Sequence, residues 1–140
     1  VRKGATPAFP GQRGFVGGTM GENSVIVEGV DSAEAKMISY STIHGAGRVL
    51  GRRKAAGKSK FKGGKRIRIS DGLISKDMML EWVNSARVEL RGAGTDESPH
   101  CYKRLPEVLK FHENSIKVVH TLRPIGVAMA GEDIFDPFKD

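Results

Sequence analysis

One cysteine in 140 residues, Cys101, excludes any internal disulfide and fits a reducing compartment. No apolar run is long enough to span a bilayer and no signal peptide opens the chain, so the expectation is a cytoplasmic protein with no membrane partner. Aromatic residues make up only 6% of the chain. The basic run from Arg48 to Arg68 has no aromatic apart from Phe61, so stacking on unpaired bases is expected to be a minor term there. Acid is missing altogether between Arg48 and Arg68, where ten residues are basic. The formal net charge of +7 points to a polyanionic partner such as nucleic acid or nucleotide. The length suits one core and a single unit over residues 1–140.

What is abundant is glycine, 18 in all. The central stretch is Ser41-Thr42-Ile43-His44-Gly45-Ala46-Gly47-Arg48. Two glycines so close together destabilise helix and strand interiors alike, so this is a tight loop. Bare backbone amides there can approach phosphate, with Arg48 as a counter-charge. A neutral imidazole at the mouth of such a loop can attack phosphorus and carry a nucleotide covalently. The plainer alternative is that His44 merely ends a strand and caps a turn. A second cluster, Gly17-Gly18-Thr19-Met20-Gly21, offers another set of amides and a hydroxyl.

Residues 1 to 21 hold two prolines and six glycines and read as a winding segment. Ser24 to Val27 reads as a buried strand, Asp31 to Ala35 as a turn, and Lys36 to Ile43 as a strand delivering His44. The basic run from Arg48 to Arg68 reads as a flexible solvated face or as an RNA phosphate groove. Its candidate contacts are Arg48, Arg52, Arg53, Lys58, Lys60 and Lys62. Ser75 caps a predicted helix through Val83 whose spacing places Trp82 in a core. Arg87 to Arg91 reads as a strand broken at Gly92, Leu105 to His112 as a helix, and Ile116 to Leu122 as a strand. An acidic tail runs from Glu132 to Asp140. The fold class expected is α+β, with strands carrying the glycine loops and a few covering helices. His100 beside Cys101 has no metal spacing, and His112 and His120 read as structural.

Taken in order, Arg2-Lys3-Gly4-Ala5, Gly18-Thr19-Met20-Gly21, His44-Gly45-Ala46-Gly47-Arg48, Ser98-Pro99 before Tyr102-Lys103, and Leu122-Arg123-Pro124 resemble the C-terminal part of the RtcB-type RNA ligases. The resemblance implies a GTP- and manganese-dependent ligase that joins RNA 3′-phosphate or 2′,3′-cyclic phosphate ends to 5′-hydroxyl ends, as in RNA repair or transfer-RNA splicing. It makes His44 the guanylylated nucleophile. It places Gly45, Ala46 and Gly47 beside the nucleotide, with Gly17, Gly18, Thr19, Met20 and Ser24 as a second GTP loop and Tyr102 on the nucleobase side. It implies RNA with broken ends and GTP as partners, with an archease-like activator as a further one. The family's manganese ligands lie upstream of the matching region, so no metal residue is assigned here and this span alone is expected to be inactive. Met129 stands where many members carry a lysine near the end of the chain. A non-catalytic RNA-binding module derived from such a ligase is the alternative. A phosphate-binding hydrolase is a third reading, one that lacks the carboxylate and metal set it would need.

The four histidines and one cysteine lack ligand spacing, which yields a measurable expectation. In a calorimeter, the 140-residue chain should bind manganese no better than an unrelated basic protein. Stoichiometric binding at micromolar concentration or tighter would contradict this and direct attention to His100 and Cys101.

Overall fold

The computed structural model describes residues 1–131 and 134, so the acidic tail lies outside the described residues apart from Ile134. The fold is α+β, with nine strands and four α-helices among the described residues. The strands form four small sheets rather than one. β1 (Ala5–Pro7) pairs antiparallel with β4 (Ser41–Ile43), so Ala5 faces Ile43 beside the histidine loop. β2 (Arg13–Val16), β3 (Ser24–Gly29) and β8 (Ile116–Leu122) form an antiparallel trio with β3 in the middle.

Along β3 the buried residues alternate: Val25, Val27 and Gly29 point inward while Ser24, Ile26 and Glu28 stay partly exposed. Val16 at the end of β2 is fully buried on the same side. These valines form one core with Ala8, Ala46, Leu105 and Ile116. A second cluster gathers Met20, Met79, Val83, Val88 and Ala93. It is assembled from α3 (Lys76–Ser85) and β7 (Glu89–Ala93), the latter paired parallel with β9 (Gly126–Gly131). Ser75 caps α3 as the sequence indicates, its hydroxyl accepting the Met78 amide at 3.1 Å.

Several expectations change. Residues 1–21 hold two strands despite their glycines and prolines, because β1 borrows a distant partner, β4, and β2 folds back against the next strand, β3. The turn expected at Asp31 to Ala35 is the start of helix α1 (Ala33–Met37), with Ser32 Oγ accepting the Ala35 amide at 2.9 Å. That helix absorbs the first part of the predicted 36–43 strand. Ser39 and Tyr40, at φ 56° and 47°, close it before β4 begins.

The basic run is also ordered. It forms helix α2 (Arg52–Ala56) and an antiparallel hairpin of β5 (Lys58–Lys62) and β6 (Lys65–Ser70). β7 runs on through Gly92 by a shift in register instead of ending there. The helix expected over Leu105 to His112 is α4 (Leu105–Leu109) tightening into a 3-10 turn at Lys110–His112.

Leu105 is 1% exposed at the centre of the first core. Leu105→Ala should cost about 2–5 kcal/mol in urea unfolding, through lost transfer energy and the cavity left behind. A loss below about 1 kcal/mol would mean that this core is not what holds the strands together.

Candidate functional site

His44 follows β4 directly and is exposed. Its ring lies over Gly4, where an added Cβ would sit 3.9 Å from Cδ2 and Nε2. The backbone behind it is anchored: the His44 carbonyl accepts the Gly17 amide at 3.3 Å, and Gly17 bridges Gly45 in parallel. The two glycine loops, well separated in sequence, are therefore joined at the histidine.

Each loop is pinned by one buried apolar side chain. Ala46 enters the first core between two glycines, and the Gly45 and Gly47 amides donate to no acceptor among the described residues. Met20 enters the second core, so its side chain anchors the second loop from behind. Gly18 donates its amide to Ser24 Oγ at 3.0 Å, which closes that loop on itself. A Cβ at Gly18 would fall 2.3 Å from the Asn23 carbonyl oxygen, so only glycine fits there. The Thr19 hydroxyl is buried in the same loop with no hydrogen-bond partner among the described residues.

Arg48 is placed differently from a free phosphate counter-charge. It is half-buried and donates from Nη1 to Tyr102 Oη at 2.7 Å and to Glu97 Oε1 at 3.3 Å. Nη2 donates to the Asp96 carbonyl, and Nε donates to the Leu50 carbonyl at 3.1 Å. The guanidinium also lies 4.7 Å from the centre of the Tyr102 ring. Tyr102 in turn donates its hydroxyl to Glu97. Arg52 adds a second ion pair to Glu97 at 3.3 Å and one to Asp96 at 3.7 Å. Lys58, Lys60 and Lys62 lie on the β5–β6 hairpin, and no ion pair among the described residues ties them to either loop. Arg53 is exposed on α2.

Sequence reasoning missed Glu97, Asp96, Glu22 and Arg104. Glu22, in the second loop, pairs with Arg104 at 2.7 Å, and that guanidinium stacks 3.8 Å over Trp82. Trp82 is half-buried, with His100 edge-on at 4.8 Å, so it supports the loop instead of filling a core. The adjacent acids Asp96-Glu97, shortly before Tyr102, were the available signal. Burial pushes the Cys101 thiol up, which makes it a packing residue and not a nucleophile.

The class this geometry defines is an α+β chain that presents one exposed histidine between two glycine loops. The family model described as tRNA-splicing ligase RtcB matches residues 1–130. The chain is 35% identical to tRNA-splicing ligase RtcB of Pyrococcus furiosus, with 91% of this chain and 13% of that protein covered. It is also 35% identical to RNA-splicing ligase RtcB of Escherichia coli K12, covering 89% of this chain and 26% of the relative. Identity to the Archaeoglobus fulgidus tRNA-splicing ligase RtcB is 33%, over 91% of this chain and 27% of the relative. The chain belongs to the RtcB family of RNA ligases, and it spans about a quarter or less of the length of these relatives.

The Tyr102 phenol is pushed up to about 12, by burial first and then by the Glu97 carboxylate. A pKa raised on folding favours the protonated native state. The associated stability is complete below the ordinary value of 10.0 and is lost as pH rises from there toward 12. Ultraviolet titration should show a tyrosinate step near 12 that Tyr102→Phe removes. A step near 10 that disappears in Tyr102→Phe would contradict the buried network.

Proposed function

We propose that this chain supplies the nucleotide-transfer site of an RNA ligase that joins 3′-phosphate or 2′,3′-cyclic phosphate ends to 5′-hydroxyl ends, using GTP and manganese. The observation that carries this reading is the exposed His44 fixed between two glycine loops whose backs are plugged into the core. The family match supports the RNA-ligase chemistry.

In the first step an imidazole nitrogen of His44 attacks the α-phosphorus of GTP. A P–N bond forms, the P–O bond to pyrophosphate breaks, and the ring proton passes to solvent. The Gly45 and Gly47 amides, without acceptors of their own, suit the charge that builds on the phosphate oxygens. Gly17, Gly18, Thr19 and Ser24 shape the opposite wall, and Thr19 Oγ1 has hydrogen-bonding capacity to spare. Tyr102, held by Arg48 and Glu97, limits the site on the nucleobase side. An oxygen of the RNA 3′-phosphate then displaces His44 from the GMP, restoring the imidazole. Attack by the 5′-hydroxyl forms the new phosphodiester and releases GMP; a cyclic phosphate end is opened beforehand.

Manganese supplies polarisation of phosphate oxygens. Among the described residues no three His, Cys, Asp or Glu side chains stand close enough to hold a metal, and none of them is assigned to it. The exposed cations Arg53, Lys58, Lys60 and Lys62 are assigned to the RNA backbone. Arg48 and Arg52, whose charge Glu97 and Asp96 answer, are assigned to holding the site.

A second reading, a non-catalytic RNA-binding module, is favoured by one observation. Met129, where many members carry lysine, is 41% exposed on β9. One experiment separates the two. The full-length protein incubated with α-labelled GTP and manganese should retain label that acid removes and alkali spares, and His44→Ala should retain none. Equal labelling of His44→Ala contradicts the assignment, and no labelling of the parent favours the binding module.

A further inference from the structure

Arg104 follows Tyr102 and Lys103, and its neighbour Leu105 is 1% exposed in the first core. Its carbonyl accepts the Glu107 and Val108 amides at 3.1 Å where α4 begins, so its backbone is fixed. The side chain reaches back to the second glycine loop, where Nη1 donates to Glu22 Oε1 at 2.7 Å. Glu22 follows Gly21, and its amide donates to the Thr19 carbonyl at 3.2 Å, closing the loop. Its other carboxylate oxygen is buried with no partner among the described residues, so Arg104 alone answers this charge there.

Trp82 completes the brace. α3 carries it beside Val83, which is buried in the second core. The Arg104 guanidinium lies 3.8 Å over the Trp82 ring, a cation–π contact of the flat, stacked kind that arginine favours. A Cβ at Gly21 would fall 2.5 Å from Trp82 Cδ1, so the loop backbone already lies against the indole. The loop is thus held at Gly21 by packing and at Glu22 by charge. One end of the brace is the loop assigned to GTP, and the other is the segment that carries Tyr102.

We propose that Arg104 is a positioning residue for GTP, bridging the 17–21 loop to the Tyr102 segment through Glu22 and Trp82. The proposal rests on the RNA-ligase reading and names what sets the span of its nucleotide site. Arg104 needs no contact of its own with the nucleotide. Without it the loop keeps its Met20 anchor but loses its tie to the Tyr102 side. A nucleotide must then order the two walls as it binds, which weakens binding by the fraction of time they are misplaced. The attack geometry at His44, set by the first loop, stays as it was. Arg104 therefore governs how much GTP is needed and not how fast bound GTP reacts.

The test is single-turnover labelling of the full-length protein with α-labelled GTP and manganese, the rate followed against GTP concentration. Arg104→Met and Glu22→Met should each raise the half-saturating GTP concentration about tenfold, with the saturating rate within about threefold of the parent. The pair should lie close to the worse single variant, because each removes the same bridge. Arg104→Lys keeps the cation but not the flat fork, and keeps the test open should the methionine variants fail to fold. It should shift the half-saturating concentration the same way by about threefold. A merely structural role would lower the amount of label and leave that concentration where it is. The proposal is overturned by that result, by losses that multiply in the pair, or by a pair that returns to the parent value, which would mean that Arg104 only neutralises Glu22. An unlabelled parent sinks the ligase reading, and positioning is then scored by calorimetric GTP binding. Equal Kd in the parent and in the Arg104 variant that folds sinks the positioning role, and no binding by the parent sinks both.

Discussion

The site depends on how Arg48 is used. Its guanidinium binds Glu97, the Tyr102 hydroxyl and the carbonyls of Asp96 and Leu50, while lying on the Tyr102 ring. Four residues after His44, this side chain ties the end of the glycine loop to the 95–102 segment. The backbone reinforces the tie, with Lys103 donating to the Gly47 carbonyl at 2.9 Å and Val49 to the Cys101 carbonyl at 2.9 Å. The ion pair is largely buried, so removing either partner leaves a charge without its answer. The geometry of the histidine loop is thus set by side chains that lie outside the loop.

A second constraint explains how flexible glycines become a defined surface. Ala46 and Met20 each push one side chain into a different core, so both loops are held from behind while their backbones face outward. The Gly17–His44 hydrogen bond then sets the two loops against each other. Around the second loop, Arg104 bonds Glu22 and covers Trp82, which in turn abuts Gly21 and His100. The histidine can be exposed because nothing about its position depends on burying its own ring.

The glycine loops were legible because no regular element tolerates His-Gly-Ala-Gly, and α3 because Ser75 and the apolar spacing agree. β3 and β8 were legible from their apolar runs. What escaped was set by pairing. β1 and β2 have no periodicity of their own; β1 exists through the distant strand β4 and β2 through the adjacent strand β3. The β5–β6 hairpin escaped because both its faces are wet, so strand alternation left no apolar trace beyond Phe61, Ile67 and Ile69. Arg48 and Arg52 looked like free cations because their partners, Asp96 and Glu97, lie more than forty residues away. That the Met20 side chain packs into the second core was not legible, because residue type alone does not say which way a loop side chain points.

If Arg48 holds the loop, its contribution to stability must be coupled to that of Glu97. The direct measurement is a double-mutant cycle in urea unfolding with Arg48→Met, Glu97→Ala and the pair. The account predicts non-additivity of at least about 1 kcal/mol, with the double variant close to the worse single one. Additive losses within about 0.5 kcal/mol would mean that the two side chains act independently and that Arg48 is free for phosphate after all.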